Sequence, residues 1–444
     1  MSYPLSSAVV EGQATEAAQY NNLRADALCL GGTPGASGSV RDLLFSAAGA
    51  YTLRQNGKTT IVLDASESAP VGLMIGGNIY TVTAALSLLL SASILPDPGR
   101  YRIYANGQNG GAFVLSLFAG EKPREIGTFC WDGSGIIPGT LRTSADSSLL
   151  TVKNPAAASG RLSLVAGDPV PDTDITLGES LYFVPYHGSE IALNLFGEWE
   201  FFSWSMISLG NNGLTRGIPY DVFLSVDSDG LALSAVSWGS VTTRPAGSLA
   251  WLDGVRVSGS DASKRFLGSF VLNSSGYFED SRAGRLLWNE NNRLQRPILS
   301  KLITTKNQGT THLNSWAPYY DEDAPIVRAL IPVSDCDLEI VGVGMSSPIS
   351  ESDRSYGRAS AIGIGRDIMH ESPYTGNESC APVFTHTFGN GPEFAEIHNF
   401  DDGFVGYHSF TLIFWSNYSS LYPVGTNLSN SCGECPGLFG SILA

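Results

Sequence analysis

Short apolar, β-branched or aromatic runs alternate along this chain with breaks rich in glycine, asparagine and serine. Lys58 to Leu63 reads as a strand, and Val71–Met74 and Asn78–Thr83 flank Gly76-Gly77 as the arms of a hairpin. Arg100–Tyr104 and Phe113–Leu117 follow, then Ile126–Phe129 and Leu141–Thr143. A second group of strands is expected at Leu181–Tyr186, Glu190–Leu195, Glu198–Trp204, Tyr220–Val226 and Leu231–Trp238. The last two are joined by the turn chemistry of Asp227-Ser228-Asp229-Gly230. Phe266–Leu272 is a further apolar strand, ended by Asn273-Ser274-Ser275-Gly276. Beyond Pro297 the candidates are Ile326–Val333, Leu338–Val343, Ala361–Gly365 and His408–Ser416, the last with the alternation of a half-buried strand.

Helical patterns are few. Thr15 can cap a short N-terminal helix through Leu28, with Gly31-Gly32 as its stop. A helix of that length needs a partner surface to be stable. Asp280 or Ser281 can cap a second short helix, with Leu286, Leu287, Trp288 and Leu294 on one side. The expected fold is therefore mainly β: several antiparallel β-sandwich domains in series, preceded by a short N-terminal helix. With 444 residues, one core is too few. The small-residue stretch from Ser144 to Asp172 marks a boundary. The expected division is residues 1–32 as a helical segment, 33–145 as a first β-sandwich, 146–300 as a second β domain and 301–444 as a C-terminal β-sandwich.

Composition narrows the function. Charged residues are 15% of the chain, against about 25% in ordinary domains. The net charge is −16 and no basic run occurs, which argues against nucleic-acid binding. The first residues lack a basic, apolar leader, and the apolar run Ala84–Leu95 is too short to span a bilayer. Synthesis in a cytoplasm, without membrane insertion, is the expectation. The six cysteines are scattered, and Cys432 and Cys435 lack a second ligand pair for zinc. No nucleophile elbow, zinc-protease helix or phosphate loop is present in the sequence. Glu393, Glu396, His398, Asp401 and Asp402 are the densest polar group, and they read as a solvated acidic loop. The expectation is no enzyme, no catalytic or metal residue and no cofactor. His187 reads as a wall residue, and Trp199, Trp204, Trp238 and Trp251 as core or interface residues.

One stretch carries more. Arg265 to Arg296 reads RFLGSFVLNSSGYFEDSRAGRLLWNENNRLQR. Upstream stand Tyr182 to Gly188, Pro219-Tyr220-Asp221-Val222-Phe223, Trp238, Arg244 and Asp253-Gly254-Val255. In that order, from about Asp172 to Leu299, these pieces resemble a module of bacteriophage virion appendages, in tail-fibre and head-fibre-like proteins. Gly12 to Asp26 is similar to the opening of many phage structural proteins, and Gly437 to Ile442 to the way they end.

The resemblance implies an oligomeric tail fibre or spike, often a trimer, made in the host bacterial cytoplasm and carried on the virion. Its partners would be its own copies, other virion proteins and a host cell-surface glycan. The N-terminal helix, with Thr15, Tyr20, Leu23 and Leu28, would attach to the particle. The C-terminal β domain would face the host, where Tyr374, Phe388, Phe400 and Tyr407, expected in loops, are the candidate receptor contacts. A capsid-decorating protein and a polysaccharide depolymerase are the alternatives.

Overall fold

A computed structural model describes residues 51–67, 70–76, 78–120, 123–143, 154–156, 158–301, 316–318, 326–333, 338–343, 346–348, 360–368, 397–400, 405–416, 421–423 and 437–444. Every regular element among them is a strand, so the protein is mainly β with several antiparallel sheets. No helix among the described residues is long and apolar enough to cross a membrane. The expected N-terminal helix, with Thr15, Tyr20, Leu23 and Leu28, lies outside the described residues.

Internal contacts divide the chain into two compact units. The first comprises Met1–Asn154 together with two later segments, Leu193–Phe202 and Val226–Leu231. Here β1 (Leu53–Asn56), β2 (Thr60–Leu63) and β5 (Leu86–Leu89) form one sheet, and β3 (Val71–Ile75) and β4 (Asn78–Val82) form the expected hairpin. Gly76 in its turn has φ of 59°, a left-handed conformation that glycine adopts without strain. A third sheet has the order β7 (Phe113–Ser116), β6 (Gly99–Gly107), β8 (Arg124–Trp131), β9 (Arg142–Thr143). Alternating side chains from these strands build one core around Ile61, Leu63, Ile103, Phe113, Phe129 and Trp131. The Trp131 indole donates to the Leu95 carbonyl at 3.1 Å, so its one polar atom is satisfied in that core.

Asp132 organises the turn that follows. Its carboxylate accepts from the backbone N–H groups of Ser134, Gly135 and Ser228, each at 2.8 Å, and from the Ser134 hydroxyl at 2.9 Å. Burial alone would raise its pKa, but these donors hold the carboxyl well below the usual range. The stabilisation is present above the ordinary carboxylate pKa of about 4 and is lost as pH falls toward the depressed folded value. Asp132→Asn is expected to cost about 1–2 kcal/mol at pH 7, a modest figure because the carboxylate is partly solvated. Urea unfolding of both proteins should show that gap closing below about pH 4; a gap constant down to pH 2 would refute the assignment.

The second unit comprises Pro155–Ala192, Ser203–Ser225 and Ala232–Ala444. The chain passes between units through a hairpin of β13 (Glu190–Leu195) and β14 (Glu198–Ser203), and through the turn that joins β16 (Pro219–Asp227) to β17 (Gly230–Ser237). The central sheet of the second unit has the order β17, β16, β20 (Arg265–Val271), β19 (Val255–Ser258), β18 (Leu249–Leu252), with β23 (Leu287–Asn289) also paired to β20. All seven residues of β20 are buried. Beside it β10 (Gly160–Ser163), β12 (Ser180–Pro185) and β15 (Ile207–Gly210) form a three-stranded sheet. The Asn289 side chain joins the two like an added rung, accepting from Leu162 N–H at 2.6 Å and donating to the Leu162 carbonyl at 3.3 Å.

Two expectations are corrected in this unit. The segment from Asp280 to Leu294 is not a helix: it forms β21 (Phe278–Ser281), β22 (Gly284–Arg285) and β23. Leu286, Leu287 and Trp288 are all buried there, and β20 supplies hydrogen-bond partners that helical propensity alone cannot outweigh. The division at residue 300 also falls inside a shared structure. β24 (Gln295–Lys301) pairs along its whole length with β33 (Gly437–Leu443), which continues to β27 (Leu338–Val343) and β30 (Ile397–Phe400). A further sheet runs β11 (Ile175–Gly178), β21, β22, β26 (Ile326–Ile331), β31 (Gly406–Ser416), β25 (Trp316–Pro318), with β29 (Ser360–Ile368) also on β31. The β22–β26 pairing is parallel. A short pair of β28 (Ser346–Pro348) and β32 (Leu421–Pro423) completes the unit.

Candidate functional site

The residues singled out from Pro219 to Asn289 converge on one place. Asp221 lies on β16 opposite Ser269 of β20. Its side chain is only 2% exposed, so an unpaired carboxylate there would be costly. Arg244 answers it with a two-pronged contact, Nε to Oδ2 at 2.8 Å and Nη2 to Oδ1 at 3.0 Å. The Trp238 indole N–H and the Ser269 hydroxyl donate to Oδ1 at 3.0 and 2.7 Å. The Arg244 guanidinium lies 4.3 Å from the Trp238 ring centre and 5.9 Å from that of Phe266, and also donates to the Pro332 carbonyl. Three donors meet at Oδ1 and one at Oδ2, a network that holds the carboxylate and its partners in a fixed geometry.

Other buried charges follow the same rule. Arg265 is 1% exposed and donates to the carbonyls of Pro155, Ala156 and Ala192. Burial pulls its pKa down to about 10, still charged at neutral pH. Glu279 accepts from Asn273, Ser281 and Arg328 at 3.2, 2.9 and 3.3 Å. Asp280 is shared by Arg285 and Arg296. A cleft lined by Arg161, Asn289, Asp280 and Arg296 has room for about one water. Arg161 spends its own donors on the Pro169, Asn292 and Ala444 carbonyls. Cys130 is buried, and burial pushes its thiol up to about 11, away from nucleophilic chemistry. Among the described residues no three His, Cys, Asp or Glu side chains gather as a metal would require.

The surface differs. Trp251 is 64% exposed at the end of β18, beside an Asp253-Gly254 turn in which both residues have positive φ. The Arg256 guanidinium sits 4.6 Å from its ring centre and is held by Glu290 at 2.8 Å. Arg293 meets the same Glu290 oxygen at 3.5 Å and lies 4.4 Å from the Trp288 ring centre. An exposed indole thus hangs on a rank of fixed charges. Of the tryptophans read as core or interface residues, Trp204 and Trp238 are buried, whereas Trp251 is exposed. His187 is exposed, its ring against Tyr186 with centres 3.9 Å apart.

Two of the four expected receptor contacts lie among the described residues. Tyr374 and Phe388 lie outside the described residues, as do Glu393, Glu396, Asp401, Asp402, Cys432 and Cys435. Phe400 belongs to β30 rather than to a loop. Tyr407 lies on β31, is 3% exposed and packs with Val271, Leu286 and Leu330. It is a core residue, since an alternating strand turns every second side chain inward. The buried roles of Arg161, Arg265 and Arg285 escaped sequence reasoning, which treats arginine as solvated. One signal was available: Arg265 opens an otherwise apolar strand. No family model and no curated protein matches this chain at a significant level.

Proposed function

We propose that the chain is a structural component of a bacteriophage particle, an oligomeric tail fibre, spike or similar appendage. Residues 1–32 attach it to the virion, and its C-terminal β region is presented for adhesion to the host surface. One observation carries the reading. The residues on which the resemblance rests, Tyr220 to Phe223, Trp238, Arg244, Arg265 to Phe270, Trp288 and Asn289, pack into one connected core instead of scattering. A scaffold whose buried charges are spent on one another suits a load-carrying part. Adhesion then comes from many weak contacts repeated on an oligomer, so whole particles bind far more tightly than one isolated chain.

Gold-labelled antibody against residues 301–444, imaged on particles by electron microscopy, tests the reading. Label at a tail tip or baseplate supports it, more so where the antibody blocks adsorption to cells. Label spread over the capsid shell moves the protein to capsid decoration. Particles without label overturn the virion assignment.

A further inference from the structure

The central sheet of the second unit ends on two unlike edges. At one, β18 has four residues and is cut short by the Asp253-Gly254 turn. At the other, β17 runs eight residues and, among the described residues, pairs only with β16. Among the described residues, a row of backbone N–H and C=O groups along β17 is therefore left without a neighbouring strand. None of its eight residues is buried, whereas β20, two strands inward, is buried throughout.

Long edges are normally protected with charge or proline. Another edge strand of seven residues, β24, carries Pro297. β17 reads Gly-Leu-Ala-Leu-Ser-Ala-Val-Ser and has neither charge nor proline. The chemistry that completes such a row is another β-strand.

The sequence of β17 points to its own copy. A chain of net charge −16 repels itself over most of its surface, and an uncharged strand is where two copies approach without opposing like charges. Antiparallel pairing about a two-fold axis at Ser234 sets Ala232 against Val236 and Leu233 against Ala235. Each small side chain then meets an apolar one, and no charge is opposed. We infer that β17 is a subunit contact, with two copies joined antiparallel about Ser234 so that one sheet runs through both. The inference rests on the self-association of the proposed appendage but makes it two-fold, where the resemblance pointed to a trimer. It stands or falls on the mass of the assembly, independently of whether the chain is found on a particle.

Sedimentation velocity of the full chain is the test, with circular dichroism as the check on fold. The wild-type chain is expected to associate in even multiples. Ala232→Lys with Val236→Lys sets lysine opposite lysine across the axis, and is expected to weaken the contact at least about 100-fold. Ala232→Lys with Val236→Glu sets lysine opposite glutamate in the same register and is expected to restore it. A wild-type chain of single-chain or three-chain mass at tens of micromolar overturns the proposal, as does a dilysine variant that associates normally. Loss of association in both folded variants overturns the register. Should the dilysine variant fail to fold, the lysine–glutamate variant still decides: association at wild-type strength supports the contact, and its loss in a folded chain overturns it.

Discussion

Asp221→Ala is expected to destabilise the second unit by about 3–5 kcal/mol, the usual cost of removing one partner from a buried ion pair. The loss is large because the substitution strands three donors at once. Arg244 keeps a charge at a site where its side chain is only 15% exposed, and the Trp238 indole and Ser269 hydroxyl lose their acceptor. Asp221→Asn, which keeps one acceptor oxygen but not the charge, should fall between alanine and wild type. Asp221→Leu combined with Arg244→Met should recover much of the loss, since a buried pair replaced on both sides by apolar groups is often close to neutral. Urea unfolding followed by tryptophan fluorescence reads all four proteins. A loss below about 1 kcal/mol for alanine would mean that the network is solvated in solution.

Gly268→Ala is expected to cost at least about 3 kcal/mol, at or above the upper end of ordinary overpacking. Gly268 sits in the middle of β20 between Val222 of β16 and Asn289 of β23. A Cβ there would be driven into the Trp288 backbone carbonyl and would come within 2.8 Å of Leu162 Cδ1. Backbone cannot yield as a flexible side-chain tip can, so the strain has to be met by parting β20 from β23. The Asn289 bridge to Leu162 should loosen with it. Gly210→Ala is the control: nothing lies within 4 Å of its Cβ position, and the expected change is within about 0.5 kcal/mol. Equal losses at the two positions would rule out the close approach as the cause.

Both predictions concern positions that the resemblance brought forward, and both assign them to support. Asp221, Glu279, Asp280 and Glu290 each have arginine partners. Trp251 is exposed, and β17 is an edge strand among the described residues.

Local pattern was enough for many of the strands. The hairpin at Gly76-Gly77 and the Asp227–Gly230 turn are written in neighbouring residues, because turn chemistry and a two-residue alternation act over a few positions. The mainly β fold follows from the same repetition. Where partners are distant, the sequence was silent or misleading. The Asp280–Leu294 segment reads as a helix by itself and becomes three strands because β20 and β26 offer their edges. Residue 300 looks like a boundary until β33, far along the chain, pairs with β24. Tyr407 reads as a loop aromatic, yet β31 turns it inward, while Trp251, read as core or interface, stands exposed on a sheet edge. Composition and spacing determine many of the segments that become strands, where that depends on each residue and its nearest neighbours. Which face of a strand is buried, and which arginine finds a carboxylate, is decided only when segments far apart in sequence close on one another, because burial and ion pairing depend on those distant partners.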